Sequence, residues 1–380
     1  MTTEEYKKNY ADFVKLYEKG LSTSEIASRC KKSTRTIRDR ITTGIRLGVL
    51  KKKEVNIEKI DSIKKELKYG DEKRLVQQIL KEKSRTELII DSVKEAIKPI
   101  EYRDPEFKIE DIKHGGKEEE QACLVISDVH VGKKTKSYNT NVFKQRLDKL
   151  TKSVIRITEL LRNGYKIDTL NIIFSGDIVD GEGIYPTQAL HIDQSVLKQV
   201  FQTGLPEFSK QIILLSRFFK KINVHCVRGN HGRSGKFADE TSNWDLAFYM
   251  ACKTATENYK NIEWNISYDW NHRFKIYDWK FLLVHGNQIK MQLNIPHYGV
   301  TSKGMRWQGS TGKFDYLIMG HFHSAQMCEW GNFEYFMNGT FSSNDEFSEE
   351  VIGLMGSVKQ LFFGVHPRKG VSWRYKIGLE

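Results

Sequence analysis

Five short apolar runs, each ending in side chains that can bind a metal ion, constrain the fold of this sequence more than any other feature. The first spans residues 124–132, reads LVISDVHVG, and contains Asp128 and His130 at its end. A continuous apolar run of this length is typical of a buried strand in a mostly parallel sheet, and such sheets bind ligands where their strands end. Because side chains two positions apart point to the same side of an extended chain, we expect Asp128 and His130 to face one site.

Four later apolar runs repeat this arrangement. Their polar residues are Asp177 and Asp180, then Asn230 and His231, then His285, and finally His321 and His323. A single histidine in such a place is more often a hydrogen-bonded core residue than a metal ligand, but five of the 11 histidines lie inside these motifs. Mixed carboxylate, amide and imidazole ligands suit manganese, iron or zinc better than magnesium alone. The set therefore predicts a metal site, with Mn²⁺ as the first choice and Fe²⁺, Zn²⁺ or Mg²⁺ as alternatives.

The order of the motifs, D-x-H, G-D-x-x-D, G-N-H, H-G and G-H-x-H, resembles that of the calcineurin-like metallophosphoesterase superfamily over residues 121–341. The resemblance implies an α/β fold, a two-sheet sandwich flanked by helices. It also implies two divalent metal ions, which supply a nucleophile at neutral pH and positive charge around the phosphoryl oxygens of a phosphate ester.

The resemblance further implies a role for each polar residue of the motifs. The ligands implied for the first metal are Asp128, His130, Asp177 and His323. Those implied for the second are Asn230, His285 and His321, together with Asp177 as the shared ligand. The remaining two residues are implied to be catalytic, with His231 protonating the leaving oxygen and Asp180 beside it in the second motif.

The sequence after Asp177 indicates a subfamily. Protein phosphatases of this superfamily carry G-D-x-x-D-R-G, whereas residues 176–186 read GDIVDGEGIYP and lack that phosphate-binding arginine. Together with SDVHVG at residues 127–132, this run resembles the exonuclease-type small subunit of archaeal family-D DNA polymerase, which is similar to SbcD-type repair nucleases. A Gly-Ile-Tyr-Pro loop can also arise from turn chemistry alone.

Five further residues are candidate substrate contacts. Arg228 and Arg233 flank the turn of the third motif, and Lys290, Arg306 and Trp307 follow the fourth. An arginine beside an aromatic ring suits a phosphate backbone with a stacked base. The alternative is that Trp307 packs inside the domain and Arg306 is solvated.

Apolar spacing and composition divide the chain into three parts. Residues 1–53 contain short helical patterns, residues 54–120 are rich in Lys and Glu, and residues 121–380 hold the motifs. The middle part predicts one or two long, solvent-facing helices that connect the other two and that are able to pair in a homodimer. In the last part, helices predicted over residues 141–163, 195–220 and 242–259 alternate with the motif strands, which is typical of an α/β core.

The first part carries a second recognisable pattern, I-A-x-x-C-x-x-S-x-x-T-I-x-x-R over residues 26–40. It resembles the helix-turn-helix of sigma factors and related regulators, so a small all-α domain is expected. Ile26, Cys30, Ile37 and Ile41 would form its core, and Ser33 would cap the second helix. Lys31 departs from the pattern, because glycine usually occupies this place in the turn.

The positive charge around the second helix of this small domain indicates the kind of partner that it binds. The chain carries a formal net charge of +13, and nine basic residues with one aspartate give residues 31–53 a charge of +8. We expect duplex DNA as the partner, and the alternative is a solvated charge run on a protein-binding helical hairpin. The candidate DNA contacts are Ser33, Thr34, Arg35, Arg38, Arg40 and Thr42.

The five cysteines are scattered without a C-x-x-C pair, which predicts free thiols in a reducing compartment. No secretory signal or apolar run of membrane-spanning length is evident, so a cytoplasmic location without a membrane partner is expected.

Three functions remain open at this point. The first is a metal-dependent phosphodiesterase acting on DNA, a nuclease brought to duplex by the helix-turn-helix. The second is a phosphatase or cyclic-nucleotide phosphodiesterase whose basic arm only localises it. The third is a DNA-binding replication or regulatory accessory protein with a vestigial metal site, which the intact set of ligands and His231 disfavours. Whether such a nuclease cuts internally or from ends, and whether it accepts RNA, stays open.

Overall fold

Two units make up the chain, Met1–Leu75 and Val76–Glu380. This computed structural model describes residues 2–51, 73, 77, 112–293, 295–342 and 358–380. Most of the connector predicted over residues 54–120 lies outside the described residues, and its helices and the three-part division of the chain stay predictions. None of the described helices is both long enough and apolar enough to cross a membrane.

The first unit is helical where it is described. Its helices are α1 (Thr3–Asn9), α2 (Ala11–Glu18), α3 (Thr23–Arg29) and α4 (Thr34–Arg46). Ser33 caps α4 as the sequence predicts, because its hydroxyl accepts a hydrogen bond from the Thr36 amide at 3.1 Å.

The turn between α3 and α4 contains the unusual lysine. Lys31 has φ of 50°, the left-handed conformation expected for the place that glycine usually holds. The core beneath the turn is made of fully buried side chains that include Tyr6, Phe13, Ile26 and Ile37. Cys30 and Ile41 of the predicted core pack at its edge and are only partly buried.

The second unit is built on two mixed sheets. The strands of the first are β1 (Glu119–Ile126), β2 (Lys166–Phe174), β3 (Lys221–Cys226), β4 (Ile262–Ile266), β10 (Lys359–His366) and β11 (Gly370–Gly378). Their order is β11-β10-β1-β2-β3-β4, in which β1 to β4 are parallel, β10 is antiparallel to β1, and β11 is antiparallel to β10.

The strands of the second sheet are β5 (Asn271–Ile276), β6 (Trp279–Val284), β7 (Tyr316–Met319), β8 (Gln326–Trp330) and β9 (Phe333–Met337). Their order is β5-β6-β7-β9-β8, and β6, β7 and β9 run parallel to one another. Val125 and Ile173 of the first sheet share one buried cluster with Phe281, Ile318 and Phe336 of the second. The two sheets therefore pack face to face.

Helices cover the outer faces of both sheets. Side chains of α5 (Thr140–Leu161), α6 (Leu205–Phe218) and α7 (Trp244–Ala255) pack on the first sheet. Those of α8 (Pro296–Ser310) pack on the second. The α/β sandwich flanked by helices is thus confirmed, and the three predicted catalytic-domain helices are present.

The registers of the parallel strands decide where the motifs meet. Ile126, Phe174 and Cys226, the last residues of β1, β2 and β3, are neighbours across the first sheet. Leu283 and Ile318, near the ends of β6 and β7, are neighbours in the second. The chain segments that leave these five strand ends carry the five motifs.

Candidate metal centre

The structure brings the polar residues of all five motifs together at the strand ends. Their ligand atoms form three groups, each lying within 4.8 Å of one another: Asp128, His130 and His323; His130, Asp180 and His231; and Asp177, His285 and His321. Asn230 joins the third group, because its Oδ1 lies 2.8 Å from Nε2 of His285.

The first group contains two imidazoles that face each other. Nε2 of His130 lies 3.2 Å from Nε2 of His323, and the latter atom lies 3.3 Å from Oδ1 of Asp128. One nitrogen of each ring thus lies in the same space as the Asp128 carboxylate, and imidazole nitrogen is a common metal ligand. This is the set that the resemblance implies for the first metal, apart from the shared Asp177.

The third group is held by hydrogen bonds that orient its ligand atoms. Nδ1 of His285 donates to the Ser175 carbonyl at 2.7 Å, so its Nε2 faces Oδ2 of Asp177 at 3.1 Å. A metal-binding histidine usually donates its other ring N–H in this way, which sets the tautomer and the ring orientation.

Electrostatics within the third group favour a cation. Burial raises the pKa of Asp177, but the charges of His285 and His231 outweigh it and hold that pKa well below its usual value. Burial likewise lowers the pKa of His285, yet the Asp177 carboxylate raises it to about 9. The buried Asp177 carboxylate is therefore stabilised by nearby positive charge. The donor set of oxygen and imidazole nitrogen fits borderline divalent metals such as Mn²⁺, Fe²⁺ or Zn²⁺.

The backbone at these ligands adopts a conformation that side chains rarely take. Five of the nine non-glycine residues with positive φ in the described chain are Asp128, His130, Asp177, His321 and His323, with φ between 52° and 69°. Left-handed backbone at non-glycine residues costs about 1–2 kcal/mol each and concentrates at functional sites. The tight turns carry the ligands from the strand ends into one space.

His231 lies at the edge of this space. Its Nδ1 is 3.3 Å from Oδ1 of Asp180, and its side chain is 24 % exposed. Burial lowers the pKa of His231, but the negative charges of Asp177 and Asp180 outweigh this effect and raise the pKa above its ordinary value. A protonated imidazole beside a metal site can serve as a general acid.

Asp245 supports the site, and the sequence gives no motif for it. This fully buried residue of α7 accepts hydrogen bonds from the amides of Asp177, Ile178, Val179 and Gly229 at 2.8–3.2 Å. It therefore ties the turn after β2 to the turn after β3. The feature of the sequence that could have indicated Asp245 is its position in the first turn of a helix, just after the Asn243 cap.

Tyr185 is a second residue that sequence reasoning missed. Nδ2 of Asn230 donates to its hydroxyl at 2.7 Å, and its ring lies 4.9 Å from the His231 ring. The G-I-Y-P run contains it, but turn chemistry accounts equally well for such a run.

The candidate substrate contacts divide between surface and interior. Nε of Arg233 donates to the Asn230 carbonyl at 2.9 Å, which places it at the site. The Arg228 guanidinium is engaged by Glu240 and by the Tyr268 carbonyl. Lys290 and Arg306 are exposed.

The structure contradicts the prediction that Trp307 stacks on a base of the substrate. It is 5 % exposed and packs against Trp270 in the cluster between α8 and the second sheet. The alternative that it packs inside the domain is what the structure shows, because the outer face of the second sheet needs an apolar cover.

A family model for calcineurin-like phosphoesterases matches residues 123–325, more than half of the chain and the region that contains every motif. The chain belongs to this family. As a calcineurin-like phosphoesterase it is a metal-dependent hydrolase by family, and its clustered aspartates and histidines are the residues that could hold the metal.

Other similarities are more distant. The chain is 21 % identical over 315 residues to the SPbeta prophage-derived uncharacterized protein YonJ of Bacillus subtilis (strain 168), covering 79 % of this chain and 74 % of that protein. An archaeal phosphodiesterase is 14 % identical with a TM-score of 0.35, covering 67 % of this chain and 99 % of that one. YfcE, a phosphoesterase from E. coli, is 13 % identical with a TM-score of 0.30, covering 68 % and 100 %.

Proposed function

We propose that this chain is a Mn²⁺-dependent phosphodiesterase that cleaves DNA and is brought to duplex by its N-terminal helices. The observation that carries the proposal is the cluster of seven metal-type ligands with the protonatable His231 at its edge. The absence of the phosphatase arginine from residues 176–186 supports a diester over a phosphomonoester.

Each residue of the site has a chemical task in this proposal. Bound divalent metals supply a nucleophile at neutral pH and neutralise the phosphoryl charge. The metals would be held by seven residues: Asp128, His130, Asp177, Asn230, His285, His321 and His323. Asp180 positions the His231 ring through Nδ1, which leaves Nε2 as the nitrogen that delivers a proton to the leaving oxygen.

The direct test is cleavage of labelled DNA by the purified protein with Mn²⁺, on linear, circular and single-stranded substrates. Cleavage of any of them, with loss of cleavage on chelation, is the expected result. Hydrolysis of small phosphomonoesters or cyclic nucleotides without DNA cleavage would instead identify the alternative, a phosphatase or cyclic-nucleotide phosphodiesterase with a DNA-localising arm.

The role of His231 predicts a dependence on the leaving group. We expect His231→Gln to lower kcat by about 10²–10⁴-fold for DNA, whose alkoxide leaving group needs a proton. For a p-nitrophenyl diester the loss should be much smaller, because p-nitrophenolate leaves without protonation. Steady-state kinetics on the two substrates measure the difference, and calorimetry should show unchanged Mn²⁺ affinity.

His191→Gln is the matched control, since His191 is an exposed histidine outside the motifs. It should leave both rates unaltered. An equal loss on both substrates in His231→Gln would argue against proton donation.

The described part of the first unit supports a helix-turn-helix that binds duplex DNA. Thr34, Arg35, Arg38 and Thr42 are exposed on α4, the element that would enter the major groove. Arg40 differs from them, because its guanidinium lies 4.3 Å from the centre of the Tyr10 ring and is partly buried.

Salt dependence of binding tests this surface. The logarithm of the DNA-binding constant falls linearly with the logarithm of the salt concentration. We expect the double variant Arg35→Ala, Arg38→Ala to make this negative slope shallower by about 2, since each lost phosphate contact removes about 0.9. Fluorescence anisotropy with a labelled duplex at several salt concentrations measures it. Lys15→Ala with Lys19→Ala, at exposed positions on and just after α2, is the control. An identical slope in both pairs would reject α4 as the DNA-binding element.

A further inference from the structure

The loop after Asp180 is held in one shape by two buried glutamines. Oε1 of Gln188 accepts from the amides of Ile184 and Tyr185 at 2.9 and 3.2 Å, and its Nε2 donates to the Asp180 carbonyl. Gln199 accepts from the Gly181 amide at 2.9 Å and donates back to the Gly181 carbonyl at 3.2 Å. Buried amides that satisfy backbone groups on both sides of a loop make it part of the built site.

This loop places Tyr185 over the catalytic edge of the metal centre. The side chain is 41 % exposed although its hydroxyl and one part of its ring are engaged by Asn230 and His231. Thr187, two residues on, has φ of 66°, which is unusual for a β-branched residue. A large aromatic side chain left half in solvent beside a proton donor is available to a ligand.

We propose that Tyr185 has two tasks in the phosphodiesterase reaction: its hydroxyl orients the metal-binding amide of Asn230, and its exposed ring stacks on a nucleobase next to the scissile phosphate. The first task follows from the amide geometry. The hydroxyl accepts the Nδ2 hydrogen at 2.7 Å, so Oδ1 of Asn230 stays turned toward His285 and the cluster.

The second task follows from the position of the ring. Because it lies against the imidazole that serves the leaving oxygen, a nucleotide flanking the scissile bond comes within reach of its free face. Base stacking on an aromatic side chain tolerates any sequence, since every base has a flat face. This part of the inference rests on the proposed function, and it identifies a base next to the cut as part of the substrate.

Two substitutions separate the tasks. Tyr185→Phe keeps the ring and removes the hydroxyl, whereas Tyr185→Leu removes both. By calorimetry on the metal-free protein we expect both variants to bind Mn²⁺ about 10-fold more weakly, a typical loss for a group that orients a ligand. Tyr375→Phe and Tyr375→Leu are the matched controls, because Tyr375 on β11 is also 41 % exposed. They should bind Mn²⁺ like the unaltered protein, and thermal unfolding checks that all four variants are folded.

Stacking is tested with single-stranded oligonucleotides that carry one abasic residue beside the cleaved bond. We expect the unaltered protein and Tyr185→Phe to cleave the intact strand about 10-fold faster than the abasic strand. Tyr185→Leu should cleave the two at the same rate.

The outcomes separate a failure of this inference from a failure of the proposed nuclease function on which it rests. If the unaltered protein cleaves no DNA, the proposed nuclease function fails and the stacking task fails with it, while the Mn²⁺ affinities still decide the task of the hydroxyl. If DNA is cleaved but Tyr185→Leu keeps the preference for the intact strand, stacking is overturned alone. Unchanged Mn²⁺ affinity in Tyr185→Phe overturns the orienting task.

Discussion

Asp177→Asn should abolish tight Mn²⁺ binding and lower kcat/KM for phosphodiesters on the order of 10³-fold. Both carboxylate oxygens of Asp177 are engaged in the site: Oδ2 faces Nε2 of His285 at 3.1 Å, and Oδ1 accepts from the His231 amide at 2.8 Å. Asparagine keeps the shape but removes the negative charge and one acceptor. Even a group that only orients a ligand changes metal affinity about 10- to 100-fold, so the shared ligand should change it more.

The stability of this variant separates loss of metal from loss of fold. Asp177→Asn leaves the buried His285 imidazole without its carboxylate partner, so the metal-free variant should be folded but less stable than the unaltered protein. Mn²⁺ raises the melting temperature of a protein that binds it, and in Asp177→Asn this increase should vanish. Thermal unfolding with and without Mn²⁺ gives the measurement.

Asp168→Asn is the matched control for this substitution. Asp168 lies on the same strand, β2, but pairs with Lys220 and His114 away from the motifs. Its variant should keep both Mn²⁺ binding and hydrolysis. Persistent Mn²⁺ stabilisation in Asp177→Asn would contradict the assignment of a shared ligand.

Asp245→Asn should lower the free energy of unfolding of the second unit by about 3 kcal/mol, although Asp245 belongs to no motif. Its carboxylate accepts from four backbone amides, whereas the Nδ2 group of asparagine would face such amides with hydrogens of its own. A buried donor left without an acceptor costs about 1–3 kcal/mol, and here two or more amides are affected. Mn²⁺ affinity should fall as well, because the turns carrying Asp177 and Asn230 are tied together through Asp245.

Tryptophan fluorescence during denaturant unfolding suits this measurement. All 7 tryptophans follow residue 75, so the signal reports on the second unit alone. Asp148→Asn, which removes an exposed carboxylate of an i,i+4 pair on α5, is the control and should change stability only slightly. A stability loss in Asp245→Asn no larger than in the control would show that the four hydrogen bonds do not hold the turns.

Some features of this protein follow from local sequence rules. An apolar run ending in Asp128, Asp177 or His285 predicts both a buried strand and a polar residue at its end, because strand burial and strand termination are short-range properties. The same holds for the Ser33 cap and for the left-handed Lys31 in the turn, each of which depends on a few neighbours. The parallel direction of β1, β2 and β3 then brings their ends to one edge of the sheet.

Other features were decided only by the tertiary structure. Asp245 reaches an amide 68 residues away, and no spacing rule connects a helix start with a turn at that distance. Trp307 looks available for nucleic acid in the sequence, but it is buried between α8 and the second sheet. Tyr185 reads as a turn residue until Gln188 places it beside Asn230.

One physical reason explains why some features follow from the sequence and others only from the tertiary structure. The sequence by itself determined which residues end the strands, because backbone hydrogen bonding and apolar periodicity act over a few residues. Only the folded chain decided which of the other polar and aromatic side chains face the site, because that depends on packing and hydrogen bonds between segments far apart in the sequence.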